Sequence, residues 1–131
     1  MLLTKESDYS IRILRALADG SKRTVKSICD VEFVPIKFAY KILKKLENAG
    51  FVQSSQGPKG GYCLIKPLEG ISLYDIISVI DEDVFLFHCL KEGNYCPNNE
   101  GTKQCSVHCE FDRIQNVIKR ELQAKSMDEL I

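Results

Sequence analysis

The chain has 131 residues, 44% of them hydrophobic and 27% charged, the balance of one globular domain or one domain with a small appendage. Its net charge is zero, yet residues 1–66 carry 12 Lys/Arg against 6 Asp/Glu, a net of +6, and residues 67–131 carry 6 against 12, a net of −6. No run approaches the ~18 apolar residues of a membrane span, and the opening Met1-Leu2-Leu3-Thr4-Lys5-Glu6 lacks the apolar core of a signal peptide, so the expectation is a cytoplasmic protein. The charge asymmetry suits a basic half that meets a polyanion and an acidic half with another task. In a reducing compartment the 6 cysteines point to metal or redox chemistry rather than to disulfide bridges.

Between Lys5 and Asp19, apolar Tyr9, Ile13, Leu14 and Leu17 form a helical stripe. Thr4 or Ser7 suits its cap and Gly20 its stop. Thr24 then caps a short second helix, Val25 to about Val31, that turns Val25 and Ile28 inward. Pro35 fits the first turn of a third helix, where its missing N–H costs nothing. That helix carries Ile36, Ala39, Ile42, Leu43 and Leu46 on one face and ends at Gly50; the other face presents Lys37, Tyr40, Lys41, Lys44 and Lys45. Two short helices joined by a tight turn, the second basic on its exposed side, make a helix-turn-helix.

After Gly50 the period changes. Phe51–Ser55 and Tyr62–Ile65 read as strands around the turn Gln56-Gly57-Pro58-Lys59-Gly60-Gly61. A hairpin after a recognition helix is a wing, and its glycines let the backbone approach a phosphate closely. The expected DNA contacts are Lys37, Tyr40, Lys41 and Lys44 in the major groove. Gln56 and Lys59 would follow from the wing, at the minor groove or backbone.

Cys89, Cys96, Cys105 and Cys109 fall in a polar stretch of Gly, Asn and Pro with no apolar period. Such a stretch cannot bury itself by packing, and soft thiolates converging on a metal would order it. Tetrahedral zinc on these four is one option, although the paired CxxC knuckles of zinc sites are missing. Cys29 and Cys63 are expected as small buried hydrophobes, and His88 as structural. From Glu110 to Lys125 a long helix carries Phe111, Ile114, Val117, Ile118 and Leu122 at three- and four-residue steps. One small domain has no core left to cover that stripe, so a second copy of the chain is expected there. Ser126-Met127-Asp128-Glu129 has the form of a capping box, with Leu130-Ile131 packing the end.

Particular motifs narrow the reading. Leu3-Thr4 with Asp8-Tyr9, Leu46-Glu47-Asn48-Ala49-Gly50-Phe51-Val52, Gly57-Pro58-Lys59-Gly60-Gly61-Tyr62 and Ser72-Leu73-Tyr74-Asp75-Ile76-Ile77 together resemble the Rrf-two family of bacterial winged-helix regulators, of the IscR and NsrR type. The resemblance runs over essentially the whole chain. It implies a mainly α fold with a small β-hairpin: a winged helix-turn-helix DNA-binding domain over 1–82, a cysteine-rich cluster-binding loop over 83–109, and a dimerisation helix with its cap over 110–131. It further implies a homodimer that acts as a regulator, in the first instance a repressor, on a double-stranded DNA operator, with no enzymatic activity.

By the same resemblance, Cys89, Cys96 and Cys105 match three cysteines that hold a [2Fe–2S] or [4Fe–4S] cluster, which would sense redox state, nitric oxide or iron–sulfur status. The fourth ligand stays open. His108 matches the IscR-like position, Asp8 of a partner chain the NsrR-like one, and Cys109 is a further thiolate. One departure is Gln56, where IscR-like wings carry Arg; Lys59, in place of a tip Gly, restores a charge. The alternatives are a cluster-free regulator of the same family with zinc or thiol sensing, and a small redox protein.

Overall fold

The computed structural model describes residues 3–131. Helix α1, Lys5–Ala16, is capped by Thr4, whose Oγ1 accepts the Ser7 N–H at 3.2 Å. Ile13, Leu14 and Leu17 are fully buried. The helix stops at Ala16, short of Asp19, because the Gly20 N–H closes a turn on the Leu17 carbonyl at 3.0 Å. Helix α2, Val25–Glu32, is capped by Thr24 and buries Ile28.

Helix α2 ends on Phe33 at φ 55°, ψ 43°, a left-handed position where Gly is usual. Pro35 is the N-cap of α3, Ile36–Asn48, rather than part of its first turn. Ala39, Ile42, Leu43 and Leu46 are fully buried, but Ile36 is 51% exposed, contrary to its expected place on the apolar face. Four residues on along the same helix sector stands the exposed Tyr40.

Strands β1, Val52–Ser55, and β2, Gly61–Leu64, pair antiparallel with Val52 opposite Leu64 and Ser55 opposite Gly61. A 3-10 turn at Leu68–Gly70 leads into α4, Leu73–Ile80. Ser72 and Asp75 cap α4 reciprocally, at 2.8 and 3.2 Å, and Ile76, Ile77 and Ile80 are buried. Ile76 and Ile80, with Phe51, Val52 and Ile71, complete a core shared by α1 to α4.

The second half is built differently. After a 3-10 turn at His88–Leu90 comes α5, Ser106–Gln123. It starts four residues before the expected Glu110, so Ser106, Val107, His108 and Cys109 belong to a helix and not to a loop. None of its residues is buried. Short α6, Met127–Leu130, brings the chain back to the core: the Met127 N–H donates to the Ile71 carbonyl at 2.7 Å, and Met127 is buried. The expected capping box of Ser126 and Glu129 is present. Leu130 and Ile131, expected to pack the end, stay exposed because Met127 takes that place.

Candidate nucleic-acid interface and cysteine segment

Helix α3 presents Lys37, Tyr40, Lys41 and Lys44, all exposed, along its outer side. The wing is braced beside it. The Glu47 carboxylate accepts both the Ser54 N–H, at 3.0 Å, and the Ser54 hydroxyl, bonds that hold its carboxyl below the usual range. From the other side, Arg23 N–H donates to Tyr62 O at 2.9 Å and Tyr62 N–H to Arg23 O at 2.8 Å. A side chain at Gly61 would put its Cβ 2.4 Å from the Arg23 carbonyl oxygen, so this crossing admits only glycine. Gln56 and Lys59 stand exposed at the wing tip, in a turn closed by the Gly60 N–H on the Gly57 carbonyl at 2.8 Å. Recognition helix and wing are thus fixed relative to one another.

Two groups of this face were invisible in the sequence. Glu6 on α1 pairs with Lys41 Nζ at 2.8 Å and with Lys45 Nζ at 3.5 Å, and the Lys41 ammonium holds the Glu6 carboxyl below its ordinary value. Lys45 also donates to the Ile80 carbonyl at 2.7 Å, which makes it a brace between α3 and α4. Asp81 accepts the Thr4 hydroxyl at 3.1 Å and also the Ser7 hydroxyl, tying the end of α4 to the first turn of α1. No periodicity or motif signals such long-range pairs.

All six cysteines are free and half-buried. Cys29 lies against the core, where burial pushes its thiol up. Cys63 reaches the carbonyl of its cross-strand partner Gln53 at 3.8 Å. The segment between α4 and α5 is anchored at its start. Lys91 pairs with Asp83 at 2.6 Å, Gln115 Oε1 accepts the Leu86 N–H at 2.9 Å, and the Phe87 ring stacks on Phe111 with centroids 3.6 Å apart. Cys89 sits in the 3-10 turn. Cys96 opens a turn closed by the Asn99 N–H at 2.9 Å, and Cys105 is the N-cap of α5, its N–H donating to Asn99 Oδ1 at 3.2 Å.

Of the candidate fourth ligands, exposed Asp8 pairs with Arg12 at 3.1 Å. His108 and Cys109 lie in the first turn of α5, and the Nδ1 of half-buried His108 is buried with no hydrogen-bond partner among the described residues. The chain does not bring the expected ligands together. Among the described residues no three Cys, His, Asp or Glu side chains stand close enough to hold one metal ion. No described helix is long and apolar enough to cross a membrane.

The model of one family, Rrf2, described as an iron-dependent transcriptional regulator, matches residues 3–131. Protein aau3 of Rhizobium meliloti is 29% identical over 100% of this chain and 85% of its own length. The HTH-type transcriptional regulator IscR of Escherichia coli O1:K1 is 25% identical over 100% of this chain and 80% of its own. Among solved structures, T. potens IscR superposes with a TM-score of 0.78 at 17% identity, over 99% of this chain and 85% of that one. CymR, described as the global cysteine regulator of B. subtilis, gives 0.73 at 24% identity, over 99% and 95%. Both structural likenesses concern the fold.

Proposed function

The chain belongs to the Rrf2 family of winged-helix transcriptional regulators, and on that premise we propose that it is a dimeric cytoplasmic repressor whose hold on a double-stranded DNA operator is controlled by an iron–sulfur cluster. It is a regulator and not an enzyme. Lys37, Tyr40 and Lys44, with Lys41 once freed from Glu6, approach the major groove; Gln56 and Lys59 approach the minor groove or backbone. Phosphate contacts from these lysines set register, and base-edge contacts set sequence.

The observation that carries the sensing reading is the state of Cys89, Cys96 and Cys105. They are free, half-buried thiols on a segment anchored at its start, held further on mostly by turns, and without a core of its own. The donor chemistry fits a cluster. Because the described residues of one chain do not gather three donors, loading requires the segment to close around the group or a second chain to supply a ligand. When bound, a [2Fe–2S] or [4Fe–4S] cluster supplies a centre responsive to redox state and nitric oxide. The unpartnered Nδ1 of His108 supports His108 as fourth ligand. Asp8, already engaged by Arg12, is the alternative and would come from the partner, with Cys109 a further thiolate.

Dimerisation is supported by α5, whose Phe111, Ile114, Val117, Ile118 and Leu122 stripe buries no residue fully. A two-fold dimer reads half-sites about 34 Å apart on a pseudo-palindromic operator. The same free thiols support a second reading within the family, in which thiol oxidation or zinc replaces the cluster. Anaerobic purification with an absorption spectrum and iron, sulfide and zinc analysis decides between them. The cluster reading expects visible absorbance with iron and acid-labile sulfide, and operator binding that changes when the cluster is removed. A colourless protein with zinc or no metal overturns it.

A further inference from the structure

The turn between α2 and α3 carries an anomaly that the lysine contacts do not explain. Phe33 is the one non-glycine residue at positive φ among the described residues, and it is 83% exposed. A bulky side chain in the left-handed region is strained, and a residue held there invites a functional explanation. Exposing a phenyl ring to water is a second cost at the same residue. It is not alone: Val31, 54% exposed, and Ile36, 51% exposed, flank it on the two sides of the turn.

Resting on the DNA-binding reading above, we propose that Phe33, together with Val31 and Ile36, is an apolar reading surface for thymine methyl groups in the major groove. The turn leads directly into the first residue of α3, and the N-terminal end of a recognition helix is the part that meets base edges. The patch is continuous along the chain and the helix with the expected DNA face: Lys37 follows Ile36, and Tyr40 shares its helix sector. The thymine C5 methyl is the apolar feature of the major-groove edge, and a phenyl ring or aliphatic side chain is its natural contact. The carboxylates nearby in sequence do not oppose a polyanion unaided. Glu32 is paired with Arg15, whose Nε donates to it at 3.0 Å, and Asp30 with Lys26 at 2.9 Å.

The test uses the full-length protein and a duplex selected by it from a random pool. Each thymine of that duplex is then replaced by deoxyuridine, which removes only the methyl. At one or more positions the wild type should bind about fourfold more weakly per methyl lost. Phe33→Gly should bind the selected duplex more weakly, lose that sensitivity, and unfold at the same or a higher temperature, since glycine relieves the backbone. Phe33→Asn, which also tolerates the left-handed region, provides a second variant, and Ile36→Ser tests the helix side of the patch. Equal binding of thymine and deoxyuridine duplexes by the wild type overturns the proposal. So does a methyl penalty that persists unchanged in the Phe33 and Ile36 variants, or a Phe33→Gly protein with intact DNA binding and an altered sedimentation coefficient, which makes the patch a contact between copies. A wild-type protein that enriches no duplex overturns the DNA-binding reading itself, and is distinguished by that outcome.

Discussion

The part of the chain up to the end of α4 and the part that follows it solve the burial problem in opposite ways. In the first, Ile13, Leu14, Leu17, Ile28, Ile42, Leu43 and Leu46 are shut away from water completely, each helix has a side-chain or proline cap, and the wing is stitched to two neighbours. In the second, an 18-residue helix has no buried residue, and the segment before it is held mostly by turns. The first closes its core with its own residues and Met127, whereas the second leaves apolar and thiol groups for something else to complete. The function proposed above needs this division, because a DNA reader keeps one shape while a sensor has two states to choose between.

The comparison breaks most completely at the cysteines. Cys89→Ser, Cys96→Ser and Cys105→Ser should each abolish visible absorbance in anaerobically prepared protein, while thermal unfolding of the winged half moves by less than about 0.5 kcal/mol, as for surface changes away from packed sites. Loss of the fold in these variants would show that the halves are not independent. Leu43→Ala, in the closed core, should cost about 3 kcal/mol in denaturant unfolding. The double change Ile114→Glu/Val117→Glu on α5 should instead leave the monomer folded and shift sedimentation from dimer to monomer, by placing charge in an apolar seam. Val117 is the sharper position because it is 38% exposed, whereas Ile118 and Leu122 line a groove with Tyr74, Val84 and Phe85 of their own chain.

Smaller effects sharpen the reading head. Replacing Lys37, Lys44 and Lys59 by Ala together should reduce the slope of log affinity against log salt by about 3, near one unit per phosphate contact. An unchanged slope removes these lysines from the interface. Glu6→Gln should tighten DNA binding a few-fold by releasing Lys41, and the gain should vanish in a Glu6→Gln/Lys41→Ala double variant. A gain that survives the second change would mean that Glu6 acts by general charge rather than through Lys41.

Much of the reading head was legible because its physics is local. A 3.6-residue apolar period, Thr caps and a Gly-rich turn each leave a mark within a few residues, and α1, α2, α3, the hairpin and the Ser126 box lie close to where those marks place them, with α1 ending at Ala16 rather than Asp19. The start of α5 was not legible. Ser106, Val107, His108 and Cys109 read as the tail of a cysteine-rich loop, and a polar first turn on a helix has little periodicity to betray it. The apolar character of Ile36 points inward, but its place on the helix puts it in the exposed sector of Tyr40. The left-handed Phe33, the Glu6–Lys41 pair and the Asp81 tie depend on tertiary placement. So does the arrangement of the cysteines, whose order along the chain says nothing about the distances between them.

Asp81 has a consequence in the language of linkage. It ties the chain to the core just before the segment of Cys89, Cys96 and Cys105, by accepting hydroxyls from Thr4, the cap of α1, and from Ser7 one turn later. Glu6, between them, reaches across to α3. A load on the cysteine segment that draws Asp81 away therefore removes the acceptor that fixes Thr4 and Ser7 at the start of α1, and a load on α1 is felt at Asp81 in return. Two ligands that bias one such element must change each other's affinity by the same factor. On the function proposed above, operator DNA would then change the affinity for a group held by the cysteines by the factor with which that group changes the affinity for the operator.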